Sequence, residues 1–513
     1  MANLMIWREW VGLARDPVIR RQWGAAMFAG FFALLPLILS VDLYIDDIER
    51  AMDGSRGWVR VGRPLADTLV EWLNFGSPAT AVAPLYTLVA IAFLSSVGVA
   101  VARVHGIRSP FWTAIASLPL MAQPYALQAM SYGFDALFMA AALACSITAA
   151  LLVHFRFAWS RVAAALVLQL FAFNLYQPGA NGFLMMTGCL CIASVLGLLN
   201  RPWQVLSLRL RLILSAVVYA GGYGLYRLLF SLLFEHRLNR YASSAAELKP
   251  LDSALPMALS TSVIEPLQQL LADFGRWPLV LPCCLFICTY ALLVWQWRSW
   301  RVALAVGVGL FLVLLLSPGG MLLLRESFVR HPRVLLYLGP FGTCLILQIV
   351  VMSRSIGRPF WSLGMVPLIW LMVVVSYAYG HGFAAQARFE QARLSRIVAA
   401  ASALQSRDME HPVRFLVVDG TMPRSPVLQN TTRKFPLMDR LIPPLLDGNQ
   451  TFSFSQLRLH GLDLEKRRPE ELEGGWPAGC EPSLDAICSS EFSLQRVTDD
   501  TFVLQIAPER PAL

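Results

Sequence analysis

The sequence predicts a polytopic α-helical membrane protein with about eleven transmembrane helices and a small mixed α/β C-terminal domain. Composition, the recurrence of long apolar stretches and the placement of arginine carry this reading. Of the 513 residues, 56% are hydrophobic and only 15% charged, too apolar a balance for a water-soluble globule of this length. Apolar stretches able to cross a bilayer, roughly 17 to 25 residues each, have cores near 24–41, 80–102, 110–130, 136–153, 162–176, 182–199, 212–234, 278–296, 302–317, 334–352 and 362–380. Pro119 and Pro124 kink the third. The fifth is short enough to re-enter the membrane, and bilayer helices accept both irregularities where neighbours satisfy the backbone.

The net charge of +9 could serve nucleic acid or could orient spans, and its distribution decides. Arg8, Arg15, Arg20 and Arg21 precede the first span, and alternate loops carry Arg103 and Arg108, Arg156 and Arg161, Arg201, Arg209 and Arg211, Arg298 and Arg301, then Arg354 and Arg358. The loops 131–135 and 176–181 have no Lys or Arg. This is the positive-inside pattern, so the basic excess is topogenic and no nucleic-acid partner is expected. Residues 1–23 mix Trp7, Trp10 and Leu13 with arginine and are expected along the cytoplasmic interface, without a cleavable signal pattern. Residues 24–380 form the transmembrane domain and 42–79 its first outside loop.

An inside N-terminus and an odd number of spans place 381–513 outside as a soluble domain. Strands are expected at Val413–Val418, Thr451–Leu457 and Thr501–Ile506. Cys480 and Cys488 are spaced to close a small loop in an oxidising compartment. The other seven cysteines fall in apolar runs as small hydrophobes. No HExxH, paired CxxC or GxxxxGK[ST] motif occurs, and the sequons at Asn430 and Asn449 would carry no meaning were the chain bacterial.

Chemistry concentrates at the outside ends of the spans. The first loop reads DLYIDDIERAMDGSRGWVRVGRPLADTLVEWLNFGSP, with Asp42, Asp46 and Asp47 directly after a membrane helix. A rigid element at an interface of lowered dielectric suits a carboxylate for general-base work on a sugar hydroxyl; the plainer reading is a solvated loop. Tyr132 and Asp135 in QAMSYGFDALFM, with Tyr176, Gln177 and Asn181 in NLYQPGAN, fall on the same face. Their amides, rings and carboxylate suit a sugar, although tyrosines also line membrane interfaces. An ionisable group at the head of an apolar span is costly and needs a purpose. Arg325, Glu326, Arg330, His331 and Arg333 break the charge rule on the outside, where arginine forks suit a lipid-linked phosphate or pair with Glu326 and the first-loop acids. Arg50, Arg56 and Arg63 pose the same alternative.

At DLYIDDIERAMDGSRGW, VGRPLAD, PYALQAMSYGFDALFMA and LYQPGAN the chain resembles the serotype-converting O-antigen glucosyltransferases, bacterial proteins similar in architecture to C-type glycosyltransferases. The resemblance implies a multi-pass protein of the bacterial inner membrane with a periplasmic C-terminal domain. It implies transfer of glucose or a related hexose from an undecaprenyl-phosphate-linked sugar to the O-antigen of lipopolysaccharide, by inverting single displacement. The catalytic carboxylate falls on Asp46 or Asp47. Asp42, Tyr44, Arg50, Trp58, Arg63, Tyr132, Asp135, Tyr176, Gln177, Arg325, Arg330, His331 and Arg333 are the substrate-binding candidates. No cofactor is required; the paired acids leave room for a divalent metal, which the motifs do not indicate. Partners are the bilayer, the glycolipid, the acceptor, and a flippase and a lipid-phosphate glucosyl synthase of the same pathway. The rivals are a polysaccharide polymerase or ligase, which would place an Arg-rich loop between late spans, and a glycolipid flippase or transporter, which would favour inverted repeats and mid-membrane polar groups.

Overall fold

Apolar helices dominate the computed structural model, which describes residues 16–507 except Val41, 201–205, Leu251, Ala254, 409–410, Asn449, Thr451, 473–479, 481–482 and Leu484. Arg8, Arg15, Trp7, Trp10, Leu13, Arg201 and the Asn449 sequon therefore lie outside the described residues. Helix α1 (Pro17–Leu39) leads to the first loop, which holds α2 (Asp46–Asp53) and α3 (Pro64–Leu73). Then follow α4 (Leu85–Val104), α5 (Pro110–Ala122), α6 (Ala126–Ser131), α7 (Ala136–His154), α8 (Trp159–Leu175) and α9 (Gly182–Val195). Next come α10 (Leu208–Leu233), α11 (Leu255–Phe274), α12 (Trp277–Trp297), α13 (Trp300–Leu316), α14 (Gly339–Ser355) and α15 (Val366–Gln405).

Among the described residues, 8 helical segments are long and apolar enough to cross a membrane, and α5, α8 and α13 are shorter apolar helices. The third apolar stretch breaks between α5 and α6, where Gln123 leaves the helix and Pro124 follows. Each break needs partners for the freed backbone groups; here the Gln123 side chain accepts from the Tyr125 N–H at 3.1 Å and donates to the Leu335 carbonyl at 3.2 Å.

The chain divides into two units. One comprises residues up to Leu39, Arg56–Gly76 and Val82–Ala378; the other comprises Ser40–Ser55, Ser77–Ala81 and Tyr379–Leu513. The first loop is thus shared between them, with the paired acids in the second unit and Trp58 and Arg63 in the first.

Within the first unit α7 and α14 are largely enclosed, whereas α10 and α12 turn leucine, valine and tryptophan outward, as bilayer-facing helices do. Close packing uses small residues: at Gly339 a Cβ would stand 2.9 Å from the Pro119 carbonyl oxygen.

In the second unit five strands, β1 (Phe415–Asp419), β2 (Glu465–Lys466), β3 (Ala486–Cys488), β4 (Phe492–Thr498) and β5 (Thr501–Ile506), form one sheet in the order β2-β1-β5-β4-β3. β1 runs parallel to β2 and β5, and the remaining pairs are antiparallel. Leu394, Ile397, Ala401 and Leu404 of α15 pack on Leu416, Leu494, Phe502 and Leu504 of the sheet, giving the mixed α/β core expected of this region. Cys480 and Cys488 are joined by a disulfide. The expected strand at 451–457 is instead helix α17 (Phe452–Leu459), which follows helix α16 (Pro426–Lys434). Its buried residues Ser453, Gln456 and Leu457 follow helical rather than alternating spacing, and the Ser453 hydroxyl, donating to the Leu445 carbonyl and accepting from the Asp447 N–H, anchors its first turn.

Candidate active site

Asp135 is the residue before α7, and its side chain does not cap that helix. The carboxylate instead accepts the Trp58 indole N–H at 2.6 Å and an Arg63 N–H at 3.3 Å. The positive end of α7 favours the charge that both donors require. Trp58 is fully buried and Asp135 only 3% exposed, so a buried acid holds these two side chains in place.

Each partner is itself fixed from a second direction. Asp67 on α3 accepts from the main-chain N–H groups of Gly57 at 3.2 Å and Trp58 at 3.1 Å, and pairs with Arg56, which also reaches Glu71. Arg63 lies over the ring of buried Tyr176, its guanidinium carbon 4.6 Å from the centroid, a geometry in which the ring quadrupole attracts the cation. Gln177 donates to the Gly62 carbonyl at 2.6 Å and to the Tyr226 hydroxyl at 3.0 Å. Gly62 has φ +78, and a Cβ there would stand 2.9 Å from both the Gln177 amide nitrogen and the Tyr226 hydroxyl. The turn that presents Arg63 therefore requires glycine.

A second cation and ring flank the same SYGFDA turn. Arg333, in the turn of 3₁₀ helix Pro332–Leu338, sits 4.6 Å above the Tyr132 ring, and its main-chain N–H donates to Gln128 at 2.9 Å. Gln128 and buried Asp273 at the end of α11 are contributors that sequence reasoning missed. Asp273 accepts from the Tyr125 hydroxyl at 2.9 Å and from Gln269 at 3.0 Å; its distance along the chain from every motif hid it. Asn181 donates to the Pro318 carbonyl at 2.8 Å and accepts from Tyr219 at 2.5 Å, tying the NLYQPGAN turn to the loop after α13. His331 is half-buried beside this region, whereas Arg325 and Arg330 are exposed and pair with Glu247 and Glu326 at 3.0 and 3.8 Å.

Within the second unit, α2 carries the paired acids. Asp46 is exposed and Asp47 buried, with Arg50 3.9 Å from Asp47. The preceding Ile45 has φ 48, a costly backbone for a β-branched residue and a mark of a constrained position. Tyr44 is buried, donates its hydroxyl to the Leu441 carbonyl at 2.6 Å and meets the Phe383 ring edge-on. Asp53 pairs with Arg458 of α17. Surrounding protein raises the Asp42 carboxyl from its ordinary range while Arg388 lowers it; the side chain is exposed, so solvent screens both effects. Among the described residues no group of three or more His, Cys, Asp or Glu side chains is arranged to hold a metal.

Three motifs distant in sequence thus meet in the first unit as acid, cations, rings and amides, a set suited to a sugar and its phosphate. The sequence pattern of the family described as Glucosyl transferase GtrII matches residues 35–344. The chain belongs to the glucosyl transferase GtrII family. The matched segment contains every motif on which the resemblance to serotype-converting glucosyltransferases rests, and that resemblance is borne out. A relative in Salmonella phage P22, an uncharacterised 55.3 kDa protein in the 5′ region of gtrB, is 23% identical over 469 residues, covering 86% of this chain and 91% of its own. No solved structure matches the chain. Membership in GtrII makes the protein a glycosyltransferase that works with a sugar donor and a polysaccharide acceptor, and its apolar helices make it a membrane protein.

Proposed function

We propose that the protein transfers glucose from undecaprenyl-phosphate-glucose to an O-antigen repeat of lipopolysaccharide at the periplasmic face of a bacterial inner membrane, through eleven spans with the N-terminus inside. The observation that carries this reading is the Asp135-ordered pair of Trp58 and Arg63, with Arg63 stacked on Tyr176, inside the segment matched by the glucosyltransferase family. A guanidinium held on a buried ring is oriented before substrate arrives, so little ordering cost falls on binding.

In the proposed reaction, Asp46 or Asp47 takes the proton of an acceptor hydroxyl. The oxygen attacks the anomeric carbon, the bond from that carbon to the phosphate oxygen breaks, and undecaprenyl phosphate departs with inversion at the sugar. Arg63 and Arg333 suit the phosphate better than Arg325 and Arg330, whose charges lie in exposed ion pairs. Phosphate leaves without a metal in this scheme. A lipid-phosphate glucosyl synthase and a flippase of the same pathway are the partners this reading expects.

The test supplies purified protein in lipid with undecaprenyl-phosphate-glucose and lipopolysaccharide from a strain lacking the protein, and reads the mass of the repeat unit. Addition of one hexose by the wild type, lost in Asp46→Ala or Asp47→Ala, is the expected result. No addition across a panel of lipid-phosphate sugars and acceptors would overturn the proposal.

A further inference from the structure

At the end of α7 opposite Asp135, a buried arginine has no counter-charge among the described residues. Helix α7 has 19 residues, so His154 stands ~27 Å along the axis from its first residue. Arg211, in the first turn of α10, is 3% exposed, and its Nε and Nη1 atoms are buried without a hydrogen-bond partner. No ion pair to Arg211 occurs among the described residues. The reason is visible in the chain: between Ala136 and Phe234 there is no Asp or Glu, and the helices packed on α10 there, α7, α8 and α9, all come from this acid-free stretch.

The groups around Arg211 are polar and incompletely satisfied. His154 meets Cys191 of α9 at 3.7 Å between Nε2 and Sγ, and the Leu206 N–H, two residues before α10, donates to the His154 carbonyl at 3.3 Å. Ser215, one turn further along α10, and Thr187, one turn before Cys191 on α9, are buried with hydroxyls that also have no partner. A cation in the first turn of a helix faces the positive end of the helix dipole, which adds to the cost of burying it alone. An anion removes both costs. Ser207, Leu208 and Arg209, at the start of α10, are exposed and open this end to a ligand, and helix starts carry main-chain N–H groups free to bind one.

We propose that Arg211, with Thr187 and Ser215, forms a binding site for a phosphate group, supplied by the headgroup of an anionic lipid in the leaflet opposite the glycosyl-transfer site. The guanidinium fork and two hydroxyls match tetrahedral phosphate oxygens, and basic pockets between membrane helices are suited to such headgroups.

The experiment uses full-length protein, delipidated in neutral detergent, with phosphatidylglycerol, phosphatidylcholine or inorganic phosphate added singly. Bound lipid is read by native mass spectrometry and stability by thermal unfolding. The wild type is expected to retain phosphatidylglycerol in preference to phosphatidylcholine and to gain thermal stability from it. Arg211→Gln should bind it at least about tenfold more weakly, and Ser215→Ala several-fold more weakly with an unchanged fold. Without lipid, Arg211→Gln should be at least as stable as the wild type, because an uncompensated charge has gone. Should Arg211→Gln fail to fold, Ser215→Ala carries the comparison. Stabilisation by inorganic phosphate alone, lost in either site variant, supports the phosphate site but overturns the lipid as its source. Equal phosphatidylglycerol retention by wild type and Ser215→Ala, or stabilisation by neither lipid nor phosphate, overturns the proposal.

Discussion

Asp135 gives its carboxylate to Trp58 and Arg63 rather than to the N–H groups at the start of α7. Replacing it by Asn keeps the volume and leaves Arg63 without its negative partner. Breaking a buried pair from one side costs about 3 kcal/mol, so Asp135→Asn should lower thermal stability in detergent and reduce glucosyl transfer more than tenfold. Trp58→Phe removes one donor to a charged acceptor, a loss of about 1.5–3 kcal/mol, and should reduce transfer less. Thermal unfolding and hexose incorporation by the same preparations check both expectations. Asp135 was readable in the sequence because a carboxylate at the head of an apolar span announces a partner. The partner was not, since Trp58 lies 77 positions away and nothing in local pattern joins them. The burial of Asp47 beside an exposed Asp46, and the roles of Asp67 and Asp273, were hidden for the same reason: all depend on which distant backbone or side chain the fold brings alongside.

At the scale of elements, the GWVRVGRP turn is set by Gly62, whose left-handed φ costs a residue with a Cβ about 1–2 kcal/mol before crowding by Gln177 and Tyr226 is counted. Gly62→Ala should therefore displace Arg63 and reduce transfer at least several-fold while the protein still inserts and purifies. An activity equal to wild type would show that the turn does not position the site. The apolar helices were legible because length and hydropathy suffice to recognise them. The 451–457 segment was misread because its alternating Phe and Ser residues mimic a strand, whereas the Ser453 anchor that favours a helix involves Leu445 and Asp447. Helix α15 shows the limit of a boundary drawn by hydropathy: its 40 residues measure ~60 Å, about twice a bilayer core, so the helix continues as polar structure well beyond the apolar stretch that ends near Gly380.

At the scale of the whole molecule, that polar extension carries a pH-sensitive contact. Glu390 lies beyond the apolar stretch, fully buried, accepting from Gln386 at 2.6 Å and from the Leu445 N–H at 3.1 Å. Burial pushes its carboxyl from 4.5 up to about 7, against the hydrogen bonds, which pull it down. The folded chain then keeps a proton that the unfolded chain loses above 4.5. The stability contribution is fully present below that value and is lost as pH rises through about 7. Thermal unfolding of the full-length protein should thus show a midpoint that falls between about pH 5 and about pH 8, and Glu390→Gln should flatten the fall and be the more stable form in alkali. Glycosyl transfer itself is tested most directly by separating donor binding from turnover, using labelled undecaprenyl-phosphate-glucose with Arg63→Ala, Asp46→Asn and Asp47→Asn. The expected result is that Arg63→Ala weakens donor binding, while loss of the base among the two aspartates abolishes release of undecaprenyl phosphate and leaves donor binding intact. Unaltered donor binding without Arg63, together with wild-type release in both aspartate variants, would contradict it.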